Sequence, residues 1–196
     1  MPVPKGSTID PARTRAAILE AATPVLYERG LDGIGVAELC ERVGVSKETL
    51  YRHFGTKNGL VEAMLEARSR QRNAWLREAA RAAGDSPAAR LSAVFDALQD
   101  WYTEPEFRGC SMVNAATQHH EPAVRSITAR HLDGYLALLK EIALDAGAED
   151  PDLLAEQLLI LLEGATVVAA HHDPRRAGRH ARAAALTLLE ASNRGS

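Results

Sequence analysis

Cysteine is scarce in this chain: Cys40 and Cys110 are the only two among 196 residues. They build no disulfide framework, and a reduced, cytoplasmic setting fits them best. Aromatic residues are only 5% of the chain while alanine is abundant, a balance that favours helix over sheet. No apolar run approaches the ~20 residues that a membrane span needs, so no membrane partner is expected. The opening MPVPKGSTIDPARTR lacks a hydrophobic stretch and reads as a short disordered arm, not a signal peptide. There is no HExxH string, Gly-rich phosphate loop or nucleophile–base pair, which argues against an enzyme and implies no cofactor. The net charge of −3 is not that of a generally sticky nucleic-acid binder.

What the chain does contain is ordinary globular material, 46% hydrophobic and 25% charged, enough for one large domain or two small ones. The charge is uneven. Residues 1–82 hold 13 Lys and Arg against 10 Asp and Glu, and residues 83–196 hold 10 against 16. A basic N-terminal part on an acidic body suits a protein of which one end meets phosphates.

The stretch Val36–Phe54, VAELCERVGVSKETLYRHF, organises the rest. Val36, Leu39, Cys40 and Val43 follow helical spacing and make one apolar face. Gly44 can take a positive φ and turn the chain sharply. Ser46 can cap a second helix. On that helix Leu50 and Phe54 face inward, leaving Lys47, Thr49, Tyr51 and His53 outside, which is the layout of a helix-turn-helix whose second helix enters a major groove.

Around this motif stand PVLYERGLDGIG, VGVSKETLYRHF and GTKNGL. Over residues 12–64 the chain resembles the tetracycline-repressor-like (TetR) family of transcriptional regulators. The resemblance implies an all-α fold of about nine helices. Residues 1–56 would hold the arm and a three-helix helix-turn-helix domain, and residues 57–196 a helical effector-binding and dimerisation domain. It implies a regulator, most simply a repressor, that binds a palindromic double-stranded DNA operator as a homodimer and is released by a small-molecule effector. Thr49, Tyr51 and His53 match the family's phosphate-contacting positions, and Lys57 its phosphate clamp. Lys47, near the helix N-terminus, can donate to guanine. Glu48, less usual in the family, can accept from cytosine or simply favour the helix dipole. Gly35 stands where the family has Ser or Thr, so no hydroxyl contact to phosphate is carried over.

In chain order, Asp10 to Arg29 reads as the first helix, with Ile18, Ala22, Val25 and Leu26 inward and a kink expected at Pro24. A long helix follows from Lys57 to about Ala83, with Leu60, Met64 and Ala67 inward and Arg68, Arg70, Arg72, Arg77 and Arg81 outside. Further helices are expected at 88–102, 110–119, 123–146, from Pro151, and at 175–191, with SNRGS as a frayed tail. Leu153 to Ala170 is apolar on nearly every face, so one side needs a second protein surface. The helices at about 151–171 and 175–191 would then form a four-helix homodimer interface.

Residues 108–124, RGCSMVNAATQHHEPAV, resemble a phrase common in one branch of the family, which lies along its effector pocket. Asn114, Thr117 and Gln118 would supply polar groups there. Phe95, Trp101, Phe107, Cys110, Met112, Val113 and Leu138 would supply walls. Cys110 reads as a buried thiol more readily than as a redox sensor, and Cys40 as core. The pairs His119–His120 and His171–His172 invite a metal reading, but adjacent helical side chains point about 100° apart, so no metal is expected. Two rival readings are a helical enzyme, for which no catalytic string stands, and a helical interaction module whose motif packs on protein instead of DNA. The salt dependence of duplex affinity separates that module from the DNA-binding reading.

Overall fold

The computed structural model describes residues 10–192. The expected arm over residues 1–9 and the last four residues of the tail lie outside them. The described residues form nine helices and no strand: α1 Pro11–Arg29, α2 Val36–Val43, α3 Lys47–Phe54, α4 Lys57–Ala82, α5 Pro87–Tyr102, α6 Ser111–Gln118, α7 Pro122–Asp145, α8 Pro151–His171 and α9 Pro174–Ala191. The all-α expectation holds.

Proline and short polar side chains write most of the helix starts. Five helices (α1, α5, α7, α8 and α9) open on a proline, where the missing N–H costs nothing. Sequence reading began α5, α7 and α9 one residue later than this. Asp10, Ser46, Ser86, Asp150 and Asp173 each accept a hydrogen bond from a first-turn amide, worth roughly 1 kcal/mol per cap. Pro24 lies inside α1, which runs on to Arg29.

The chain divides into two compact units, Met1–Ala67 and Arg68–Ser196, so the division falls inside α4. In the first, α1, α2 and α3 pack on one another around Ile18, Ala22, Leu26, Leu39 and Leu50. Val25, expected inward, is only half-buried. In the second, α9 packs on α5 and α8, α8 on α7, and α7 on α6. Leu76, Phe95, Leu98, Trp101, Leu139, Leu158 and Leu162 lie in its core.

One expectation is corrected by α8. Its 21 residues include an 18-residue window of mean hydropathy 1.7 and are long and apolar enough by length and composition to cross a membrane. Glu156 and Glu163 interrupt the run in the sequence and hide this from a search for unbroken apolar stretches. Only 39% of that window is buried within the chain, so α8 presents apolar surface outward as well as inward.

Candidate nucleic-acid interface and interior polar cluster

The turn before α3 is built from backbone geometry. Gly44 sits at φ 74°, ψ 31°, the left-handed region, where a side chain would be strained. Val45 N–H donates to the Cys40 carbonyl at 3.0 Å. The Ser46 hydroxyl then accepts from Thr49 N–H at 3.1 Å and meets the Thr49 hydroxyl at 2.9 Å. Leu50 is fully buried and anchors α3 to the unit. Phe54 is half-buried, with the Arg15 guanidinium 4.9 Å above its ring.

This seating turns the predicted ridge outward. Lys47, Glu48 and Tyr51 are exposed, and Thr49, His53 and Lys57 are half-buried. Tyr51, at 43% exposure, is a large apolar ring left in water. Glu48 pairs with Arg52 at 3.4 Å, a solvent-exposed i,i+4 pair worth at most about 0.5 kcal/mol. Arg52 is an exposed cation beside Tyr51 that sequence reading left out. Lys57 Nζ donates to the Leu31 carbonyl, clipping the α1–α2 loop to the start of α4.

The second unit holds a polar cluster inside its apolar core. Cys110 caps α6 and is buried, His131 on α7 is fully buried, and Glu163 on α8 is half-buried. Cys110 Sγ lies 3.7 Å from His131 Nε2, and one donor atom from each of the three residues falls within 4.8 Å of the others. His131 Nδ1 is held from behind by Ser69 Oγ and Asn73 Nδ2, each at 3.2 Å. Nearby, Tyr102 O–H donates to the Thr166 hydroxyl at 2.9 Å, which itself donates to the Leu162 carbonyl.

Burial controls the charges here. It pushes the Cys110 thiol up to about 12 and Glu163 up to about 7. It also lowers His131 to about 4, with the positive charge of Arg72 adding to the effect. The cluster therefore holds a neutral thiol and a neutral imidazole.

Arg72 corrects the expectation of five outward arginines on α4. Its guanidinium lies 4.2 Å from the Trp101 ring centroid and 5.0 Å from that of Trp75, a stacked cation over aromatic faces. Trp101 meets Phe107 edge-on at 4.8 Å.

The expected pocket residues separate into two groups. Phe95, Trp101, Phe107, Cys110, Met112 and Leu138 are buried, and Val113 is half-buried. Asn114, Thr117 and Gln118 are exposed. Met112 and Ala115 turn inward, and helical period then sends 114, 117 and 118 to the opposite face. Asn114 donates to the Arg108 carbonyl and Thr117 to that of Asn114. The interior polar groups are instead His131, Tyr102 and Thr166. His131 and Glu163 had no sequence signal, being single residues on long helices with no motif around them. Among the described residues the one group of three possible metal ligands is this cluster, and neither histidine pair joins it. His119 faces Glu121 at 3.6 Å.

On α8, Leu153, Ile160, Val167 and Val168 are 46–73% exposed. Beside them a cleft of about 750 Å³ runs between α8 and α9, lined by Ile160, Val168, Ala177, Ala181 and Ala184 among others.

Comparison with known proteins agrees with this architecture. The description "Bacterial regulatory proteins, tetR family" matches residues 18–64. "Tetracyclin repressor-like, C-terminal domain" matches residues 87–185. The HTH-type transcriptional activator FasR of Mycolicibacterium smegmatis is 29% identical over 141 residues, 64% of either chain. The HTH-type transcriptional regulator TtgR of Pseudomonas putida is 41% identical over 54 residues, 28% of this chain and 26% of its own. The chain thus spans under two thirds of the length of these curated relatives. A TetR-family transcriptional regulator from Streptomyces coelicolor superposes with a TM-score of 0.85 at 27% identity, covering 92% of this chain and 96% of that one. Reduced Escherichia coli NemR shares the fold, with a TM-score of 0.80 at 22% identity over 90% and 97% of the two chains.

Proposed function

The chain belongs to the TetR family of transcriptional regulators, and from that premise we propose a ligand-responsive repressor that binds a near-palindromic operator as a homodimer. The observation that carries the reading is the α3 ridge, where Lys47, Glu48 and Tyr51 stand exposed on a helix anchored by a fully buried Leu50. Lys47 reads a guanine edge from the N-terminal end of α3 and Glu48 a cytosine amine. Thr49, Tyr51, His53 and Lys57 position the helix against phosphates. Lys57 keeps two ammonium donors beyond the one given to Leu31.

The outward apolar face of α8 and its cleft with α9 support the dimer, which would set two α3 helices about one DNA turn (~34–36 Å) apart. A small-molecule effector held in the core of the second unit would favour one conformation. Acting through α4, it would shift the two motifs out of register with successive grooves. Such a protein works in the cytoplasm. The same duplex contacts would equally serve an activator, as the relative FasR is described to be.

The test is duplex selection from a random pool with the full chain, followed by affinity against salt. A palindromic site whose affinity falls steeply with salt supports the reading. Tyr51→Ala should weaken binding with the fold intact. A salt-independent affinity, or one unmoved by Tyr51→Ala, overturns the assigned face.

A further inference from the structure

Three helices of the second unit bring together the donor set of a metal site. Cys110 offers a sulfur from the start of α6, His131 a nitrogen from the middle of α7, and Glu163 a carboxylate from α8. All three donor atoms lie within 4.8 Å of one another. Four ligands at tetrahedral bonds of about 2.0–2.3 Å stand roughly 3.3–3.8 Å apart. The Sγ–Nε2 separation is already 3.7 Å, and rotation of the flexible Glu163 side chain closes the remainder.

The histidine is prepared for ligation. Ser69 Oγ can accept the proton on His131 Nδ1 when the two Asn73 amide protons go to the Ser69 and His131 carbonyls, and in that tautomer the Nε2 lone pair is on the side of the cysteine. A second partner fixing ring and tautomer in this way is the usual companion of a metal-bound histidine. The carboxylate, by contrast, has no use in the fold as it stands. Glu163 is half-buried beside a thiol and an imidazole and makes no hydrogen bond or ion pair among the described residues. Two neighbouring groups are satisfied within the protein, Tyr102 by Thr166 and Arg72 by two tryptophan faces.

We propose that Cys110, His131 and Glu163 form a binding site for a borderline divalent cation of the Zn²⁺ class, with a fourth position open to water or to a donor atom of a second ligand. Sulfur, imidazole and carboxylate together suit Zn²⁺ or Co²⁺, and not Mg²⁺ or Ca²⁺, which take oxygen ligands. Binding forms M–S, M–N and M–O bonds. The thiol proton, and the carboxyl proton where present, pass to solvent, and the imidazole enters already neutral. The dication is balanced by one thiolate and one carboxylate, so the occupied site is neutral and adds no net charge beside Arg72. Occupancy ties α6, α7 and α8 at one point, and α8 carries the exposed apolar face.

The site is read on the full chain in the absence of DNA, so its outcome is separate from that of operator binding. Metal-free protein titrated with Co²⁺ should show one equivalent bound, with the d–d bands of a tetrahedral ion and a thiolate-to-cobalt charge-transfer band. Zn²⁺ should displace it. Cys110→Ser should abolish the charge-transfer band, and Glu163→Gln, at a half-buried position, should lower affinity tenfold or more with helix content unchanged. Ser69→Ala should lower it about tenfold. No charge-transfer band with folded wild-type protein overturns the site. So does wild-type affinity in Glu163→Gln, or binding that is lost in His119→Ala or His172→Ala instead.

Discussion

Gly134 of α7 lies so close to Asn73 of α4 that a Cβ at position 134 would stand 2.1 Å from Asn73 Oδ1. That oxygen has no hydrogen-bond partner, while the Asn73 Nδ2 donates to the Ser69 carbonyl at 3.1 Å and lies near His131 Nδ1 and its carbonyl. The bare glycine therefore gives Asn73 the room in which it steadies His131. Helix propensity alone would make Gly134→Ala stabilising by about 1 kcal/mol. The crowding reverses the sign, and a net loss of about 1 kcal/mol is expected in chemical denaturation. Adding Asn73→Ala removes the crowding. The double variant should then be at least as stable as Asn73→Ala alone, a coupling that a double-mutant cycle measures.

Gly35 caps α2 at φ −75°, ψ 157° with no side-chain hydrogen bond, and nothing lies within 4 Å of a Cβ built there. The backbone already suits serine, whose hydroxyl can accept from a first-turn amide. Gly35→Ser is expected to raise stability by a few tenths of a kcal/mol, seen as a higher denaturation midpoint. An unchanged or lower midpoint would show that the α2 start does not gain from a capping hydroxyl.

Ile160 and Val167 are 73% and 53% exposed, so replacing them costs the single chain little. The pair Ile160→Asp and Val167→Asp should convert a dimer into a monomer in sedimentation equilibrium with far-UV dichroism unchanged. Duplex affinity should fall as well, because the two half-sites would no longer be held at once by two linked α3 helices. A protein that stays dimeric places the interface elsewhere.

In metal-free protein the buried carboxyl of Glu163 makes a pH dependence of definite sign. Its pKa rises from 4.5 unfolded to about 7 folded, so the folded state holds the proton over that window. Its contribution is fully present below pH about 4.5, declines as pH rises, and is gone above about 7. His131, lowered to about 4, acts oppositely: stability rises with pH from about 4 to 6.5. Glu163→Gln removes the first effect. The variant should gain on the wild type between pH 4.5 and 7 and exceed it by about 1–3 kcal/mol at pH 8. Equal stability at both ends would show that the carboxyl is solvated.

Much of this was legible before any coordinate. The α3 face follows from Leu50 and Phe54 being four apart, since a helix turning those two inward leaves Glu48 and Tyr51 off that face, whereas Lys47, three residues before Leu50, is exposed because it stands in the first turn of α3. Helix starts follow from proline and capping residues, whose effect reaches only one turn. The same local rule misplaced Arg72, because the aromatic faces that hold it come from Trp75 on its own helix and Trp101 on another. It misplaced Asn114, Thr117 and Gln118 as well. A motif resemblance located the segment, but the inward direction of Met112 and Ala115 decided which residues face the core.

The sequence by itself determined the helical class, the helix-turn-helix and the outward ridge, all of which rest on periodicity, capping and a single positive-φ glycine acting over a few residues. Only the tertiary structure decided that Cys110, His131 and Glu163 share one place, that Arg72 is covered, and which side of α8 stays bare. Those facts depend on how α6, α7 and α8 pack, through contacts between residues distant in the chain whose energies no local pattern encodes.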